Sequence, residues 1–193
     1  VFGVYLTHPQ VTIDPAMAVP KWGLSELGRD RTRAAASNPW VRSLGRIISS
    51  HETKAVETAA ILAQAAGIPV ETDEEMGEND RSATGYLPPD AFEEAADWFF
   101  AHPTESFKGW ERAIDAQTRI WNAVSYILDR HDPAIPIAFV GHGGVGTLLK
   151  CRMTDTAIAR DADQPAGGGN LFAFRLADRA VTCDWTPMEF WQG

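Results

Sequence analysis

Three things are scarce in this 193-residue chain: cysteine, long apolar runs and basic charge. The two cysteines, Cys151 and Cys183, are too few for a disulfide framework. They read as isolated thiols in apolar surroundings, which suits a reducing cytosol. No stretch approaches the roughly 20 apolar residues of a membrane-spanning helix. The start, VFGVYLTHP, lacks the basic residues and the length of a secretory leader. Lys and Arg total 17 against 26 Asp and Glu, a formal net charge of −9 with His neutral. Without a basic run, nucleic acid and anionic membrane are poor partners, because both need a cationic footprint. An anionic ligand would need a local cationic pocket working against the overall field. The expected compartment is the cytoplasm.

The remainder is ordinary globular composition, with 45% hydrophobic and 22% charged residues. A chain this long buries roughly two thirds of its unfolded surface and needs no staples. One domain over residues 1–193 is expected, and a homodimer is compatible with it though nothing in the sequence selects an oligomeric state.

Short β-branched and aromatic runs at 1–6, 46–48, 68–72 and 135–140 read as strands. Helical patterns at about 25–36, 52–66, 90–102, 108–130 and 145–153 alternate with them. Two further strands are expected at 170–175 and 180–184. Ser25 is a candidate N-cap, and Ser49 with Glu52 has capping-box spacing. This alternation predicts an α/β fold with a mainly parallel sheet covered on both faces. Ligands of such sheets sit at the carboxyl ends of the strands. That rule selects Thr7-His8, Ser49-Ser50-His51 and Gly141-His142-Gly143.

His142 lies between glycines where a strand passes to a helix. The N–H groups of Gly143, Gly144 and Val145 would form a helix N-terminus able to hold an anion. The alternative is a tight turn with a hydrogen-bonded histidine. His8 also ends a strand, and Pro9 stiffens the chain behind it. Lys54, in the first turn of its helix, is placed against the dipole unless an anion is near. Glu78 and Arg81 stand in an aperiodic charged segment, GENDRS, of the kind that carries function. His102 and His131 read as helix C-terminal residues. No HxH, HExxH or CxxC spacing supports a metal site.

The order LTHP, WGLSELGRDR, SSHETKAVETAAIL, MGENDRS and VGHGG resembles the histidine phosphatase superfamily, also called phosphoglycerate mutase-like, over roughly residues 3–176. The resemblance implies a three-layer α/β/α sandwich with a small helical cap at roughly 74–110. It implies phosphoryl transfer from a small phosphomonoester through a phosphohistidine on His8, with His142 as the second pocket histidine, Glu78 as proton donor and no cofactor. Two departures stand out. The family's Arg-His-Gly is Thr7-His8-Pro9 here, and Lys54 occupies the place of a second arginine. Thr7, Lys54, Arg81 and the Gly143 amide are then the expected phosphate-binding groups, with Arg46 and Arg160 as weaker substitutes for the missing arginines. An inactive relative that binds a phosphorylated ligand or a protein partner is the main alternative. A phosphoglycerate mutase-type isomerase is a lesser one.

Overall fold

The computed structural model describes residues 1–193. Its strands are β1 (Phe2–Thr7), β2 (Arg46–Ser50), β3 (Val70–Asp73), β4 (Ile137–Gly141), β5 (Asn170–Arg175) and β6 (Val181–Pro187). The helices are α1 (Glu26–Ala36), α2 (Pro39–Arg42), α3 (Thr53–Ala66), α4 (Pro89–Ala101), α5 (Ala113–Leu128) and α6 (Gly143–Met153). One sheet holds all six strands in the order β3-β2-β4-β1-β5-β6. Strands β3, β2, β4 and β1 are mutually parallel. Strand β5 runs antiparallel to β1, and β6 antiparallel to β5.

The central strands are apolar throughout because both faces are covered. In β1, Val4 and Leu6 join a core with Trp40, Leu44, Ala59 and Leu62. The intervening Tyr5 joins a second core on the other face, with Phe99, Ile120, Leu148 and Phe172. Strand β4 divides likewise, sending Ala138 and Val140 to the first core and Ile137 and Phe139 to the second. This is the period-2 division of a strand buried on both sides.

Several element ends differ from the sequence expectation. Helix α5 begins at Ala113 rather than near residue 108, because Lys108 and Gly109 adopt positive φ (46° and 91°), which a helix cannot contain. The Ser49–Glu52 capping box does not form. The Ser49 hydroxyl donates to the Ser50 carbonyl, Glu52 itself is the N-cap of α3, and its side chain makes no cap hydrogen bond. Ser25 does cap α1, accepting from the Gly28 N–H at 3.1 Å.

Gly28 shows how tightly the early loop is held. The Gln10 carbonyl accepts from the Ser25 N–H at 2.9 Å, and a Cβ on Gly28 would overlap that same carbonyl oxygen. The loop that carries His8 and Pro9 is thus seated on the first turn of α1. Gly28→Ala is expected to lower the unfolding free energy by about 1–3 kcal/mol, as overpacking against backbone does. Urea unfolding of the two proteins measures it.

Candidate active site

The register of the parallel strands builds the centre. Thr7 pairs with Gly141 across β1 and β4, so the next residues on the two strands are His8 and His142. The His8 N–H continues the ladder to the Gly141 carbonyl at 3.0 Å. The two imidazoles lie 5.3 Å apart, centroid to centroid, with their planes inclined by 67°. Ser50, at the end of β2, completes the row; its hydroxyl is 2.8 Å from His142 Nε2.

His8 is half-buried at the floor of a cavity of about 750 Å³. Its Nδ1 lies 2.9 Å from the Pro9 carbonyl, which can only accept, so the proton sits on Nδ1 and Nε2 carries the lone pair. Burial, then the neighbouring His142 and Lys54, bring its pKa down from 6.5 to about 3. The ring is therefore neutral at pH 7. His142 is wholly buried, and burial also lowers its pKa, against the opposing pull of Glu52 and Glu78. Its backbone is bracketed by the Tyr5 hydroxyl, which accepts from the His142 N–H at 3.0 Å. A Cβ on Gly141 or Gly146 would collide with that tyrosine. Two glycines of the GHGGVG segment therefore make room for Tyr5 rather than for a ligand.

The expected anion site at the start of α6 is already filled. Glu78 Oε2 accepts from the Gly144 N–H at 3.1 Å, and Oε1 accepts from Val145 and Asn79, both at 3.0 Å. Burial opposes its ionisation, but Arg81, His142 and the Asn79 amide together hold the Glu78 pKa below the usual carboxylate value. Gly143 remains on the cavity wall.

Lys54 has found its anion inside the protein. Its Nζ is 2.6 Å from Glu52 Oε2 and 2.9 Å from the Val19 carbonyl, and both side chains are buried. The other Glu52 oxygen lies 3.4 Å from His142 Nε2 and accepts from the Glu78 N–H at 3.0 Å. Burial works against the Glu52 charge, yet His142 and Lys54 outweigh it and bring the pKa to about 2. The capping-box spacing of Glu52 from Ser49 gives no sign of this buried role.

Thr7 departs from expectation. It is fully buried, donates to Gln164 Oε1 at 2.6 Å and accepts from the Asn170 N–H at 3.1 Å, so its hydroxyl does not face the cavity. The reason is the strand period: His8 turns toward the cavity and Thr7 toward β5. Arg46, at the far end of β2, forks onto Glu71 with two 2.8 Å bonds and lies away from the site. Arg160 lines the cavity but is paired with Glu93 at 2.6 Å. Arg81 also lines the cavity and has no carboxylate partner; its guanidinium stands 5.0 Å from the Phe92 ring centroid and 5.7 Å from that of Trp110. His102 and His131 lie beside the ends of α4 and α5, bonded to backbone carbonyls.

The family model of the histidine phosphatase superfamily (branch 1) matches residues 18–179. The chain belongs to this superfamily. Thr7-His8-Pro9, the segment that departs from the usual motif, lies before the matched span. The fold matches YhfR of Bacillus stearothermophilus with a TM-score of 0.78 at 22% identity, over 97% of this chain and 98% of that one. It matches a mycobacterial glucosyl-3-phosphoglycerate phosphatase in complex with inorganic phosphate with a TM-score of 0.76 at 23% identity, over 100% of this chain and 97% of that one. No curated protein matches significantly. At these identities the likeness is one of fold: a mixed six-stranded sheet between helices, phosphoglycerate mutase-like. No helix is long and apolar enough to cross a membrane.

The lowered pKa of His8 bears on the stability of the folded chain. The unfolded chain binds a proton at His8 near pH 6.5, and the folded chain does so only near 3. Between those values the unfolded state holds more protons, so stability rises with pH and is lost on acidification through that window. One group changes the slope by at most about 1.4 kcal/mol per pH unit, and less here because the cavity admits water to His8. Glu52 adds a loss of the same sign lower down, between 4.5 and about 2. The urea midpoint is expected to fall steadily below pH 6.5, and His8→Asn is expected to flatten the part between pH 6.5 and 4.

Proposed function

We propose that this chain is a phosphatase of small phosphomonoesters that works through a phosphohistidine on His8. The observation that carries the reading is the state of His8. It is neutral, its Nδ1 is tied to a backbone carbonyl, and it stands beside a second histidine at the floor of a cavity. In the proposed reaction, His8 Nε2 attacks phosphorus in line as the bond to the ester oxygen breaks. The leaving oxygen takes a proton from Glu78. Water then attacks the phosphorus, Glu78 takes its proton, and the P–N bond returns its electrons to His8.

Glu78 is ionised in the free protein, held so by three backbone N–H groups. A phosphate dianion arriving beside it favours the protonated acid and makes it a donor. Oε2, with one amide, has the freer lone pair for that proton. Arg81 and the Gly143 amide are the groups left free for the phosphoryl oxygens; Lys54 reaches the cavity only in its pair with Glu52, and Arg81 alone among the cavity's cations has no acidic partner. Segment 74–110 supplies Glu78, Arg81, Tyr86 and Phe92 to the cavity wall, which supports its reading as a cap.

The pairing of Lys54 with Glu52 favours a second reading, a weakened relative that binds a phosphorylated ligand without turning it over quickly. Incubation with an aryl phosphate separates the two. Turnover with an acid-labile, base-stable phosphate on His8, abolished in His8→Ala, supports the phosphatase; turnover that survives the substitution overturns it. Glu78→Gln is expected to slow alkyl phosphates about 100-fold, within the usual range for general acid catalysis, and aryl phosphates much less, because a phenolate leaves without a proton. Arg81→Ala is expected to weaken orthovanadate binding roughly tenfold, the weight of one charge-assisted hydrogen bond. An unchanged dissociation constant removes Arg81 from the site.

A further inference from the structure

The site lacks the arginine fork that commonly receives a phosphoryl group, and apart from Arg81 the obvious replacements are committed elsewhere. Thr7 faces β5, Lys54 is paired with Glu52, and the amides of Gly144 and Val145 are held by Glu78. What remains unpaired around His8 is mostly neutral. Asn79 Nδ2, on a cavity-lining residue only 6% exposed, is buried with no hydrogen-bond partner, as is Nδ1 of His142, whose ring packs against His8. A buried amide donor is almost always satisfied, so the unpartnered Asn79 nitrogen on the cavity wall points to an acceptor that comes from outside.

Gln164 is a further donor, and its orientation can be deduced. Asn170 Nδ2 donates to the Pro165 carbonyl at 3.0 Å and the Gly168 carbonyl at 3.3 Å, which fixes that atom as nitrogen. The Gln164 atom 3.1 Å from it must then be the oxygen, and the Thr7 hydroxyl donates to the same oxygen at 2.6 Å. Gln164 Nε2 is thereby turned the other way. It lies against Gly143, where a Cβ would collide with it, in a residue that lines the cavity with His8. No protein group accepts from this nitrogen.

We infer that Gln164 binds the phosphoryl oxygens through Nε2, in place of the arginine that usually precedes the nucleophile, and that Thr7 is the residue that positions it. The threonine thus acts at one remove: its hydroxyl holds the amide oxygen, and the amide nitrogen meets the ligand. The ligand class is a tetrahedral oxyanion recognised largely by neutral amide donors, with Asn79 as the other beside Arg81. Neutral donors bind by short-range contact, so affinity depends on ionic strength less than at an arginine-lined site. This inference rests on the phosphatase reading for its catalytic consequence but not for its binding one.

Orthovanadate binding and aryl phosphate turnover are measured on the whole chain for the wild type, four single variants and one double variant. Gln164→Leu is expected to raise the vanadate dissociation constant about tenfold or more, the weight of one donor on an anion, and to reduce kcat/KM in step. Gln164→Glu is expected to lose more, through charge repulsion. Thr7→Val is expected to reproduce part of the Gln164→Leu loss and to add little to it in the double variant, while Thr7→Ser restores the wild-type constant. Because Thr7→Val removes a buried bond and can fail to fold, the half-exposed Gln164 variants stand as the independent measurement. Wild-type affinity and turnover in Gln164→Leu overturn the inference and leave the phosphatase reading in place. Lost vanadate binding in Gln164→Leu, with a wild type inert toward aryl phosphate, sustains the cradle and overturns the phosphatase reading. A wild type that binds no vanadate overturns the cradle.

Discussion

The chemistry of this protein depends on one register. Thr7 opposite Gly141 makes His8 and His142 the first residues beyond two adjacent parallel strands. A shift by a single residue would turn each side chain to the other face of the sheet. Both faces of β1 and β4 are packed, so such a shift would drive Tyr5 and Phe139 into the wrong core. The two cores therefore act as the alignment device for the site. Its position at the carboxyl ends of the strands follows from the same packing, since helices cover both faces and leave only that edge open.

Around the paired histidines, charge is balanced internally before any ligand arrives. Glu52 neutralises Lys54 and leans on His142, while Glu78 occupies the start of α6. Buried carboxylates and ammonium groups are tolerable only when paired, and this arrangement pairs each of them. The result differs from a strongly cationic phosphate pocket and agrees with a chain whose net charge is −9. On the proposed reading, the tension between an acidic protein and an anionic ligand is met by Arg81 and by neutral amides lining the cavity, rather than by an excess of positive charge.

The strands and the strand-end positions of His8 and His142 were legible in the sequence because their signals are local, whereas Glu78 and Arg81 were singled out only through the family resemblance. A β-branched run that stops at His-Pro, or an apolar run that stops at Gly-His-Gly-Gly, declares itself within a few residues. Glu52 was misread because its spacing from Ser49 suits a cap, and the competing attraction of Lys54 and His142 exists only after folding. Arg46 and Thr7 fell away for a related reason: a strand residue's direction is set by register and by which end of the strand it occupies. Gln164 gave no sequence signal, because the residues that orient it, Thr7 and Asn170, are respectively 157 and 6 positions away.

The amino-acid order by itself determined the alternation of strands and helices, the double burial of the central strands and the turn chemistry that ends them, because these follow from side-chain size, polarity and backbone freedom within a short window. Only the tertiary structure decided which donors face the cavity and which charges cancel. Those outcomes arise from groups brought within hydrogen-bond distance across the sheet, where a polar atom that finds a protein partner is withdrawn from the site.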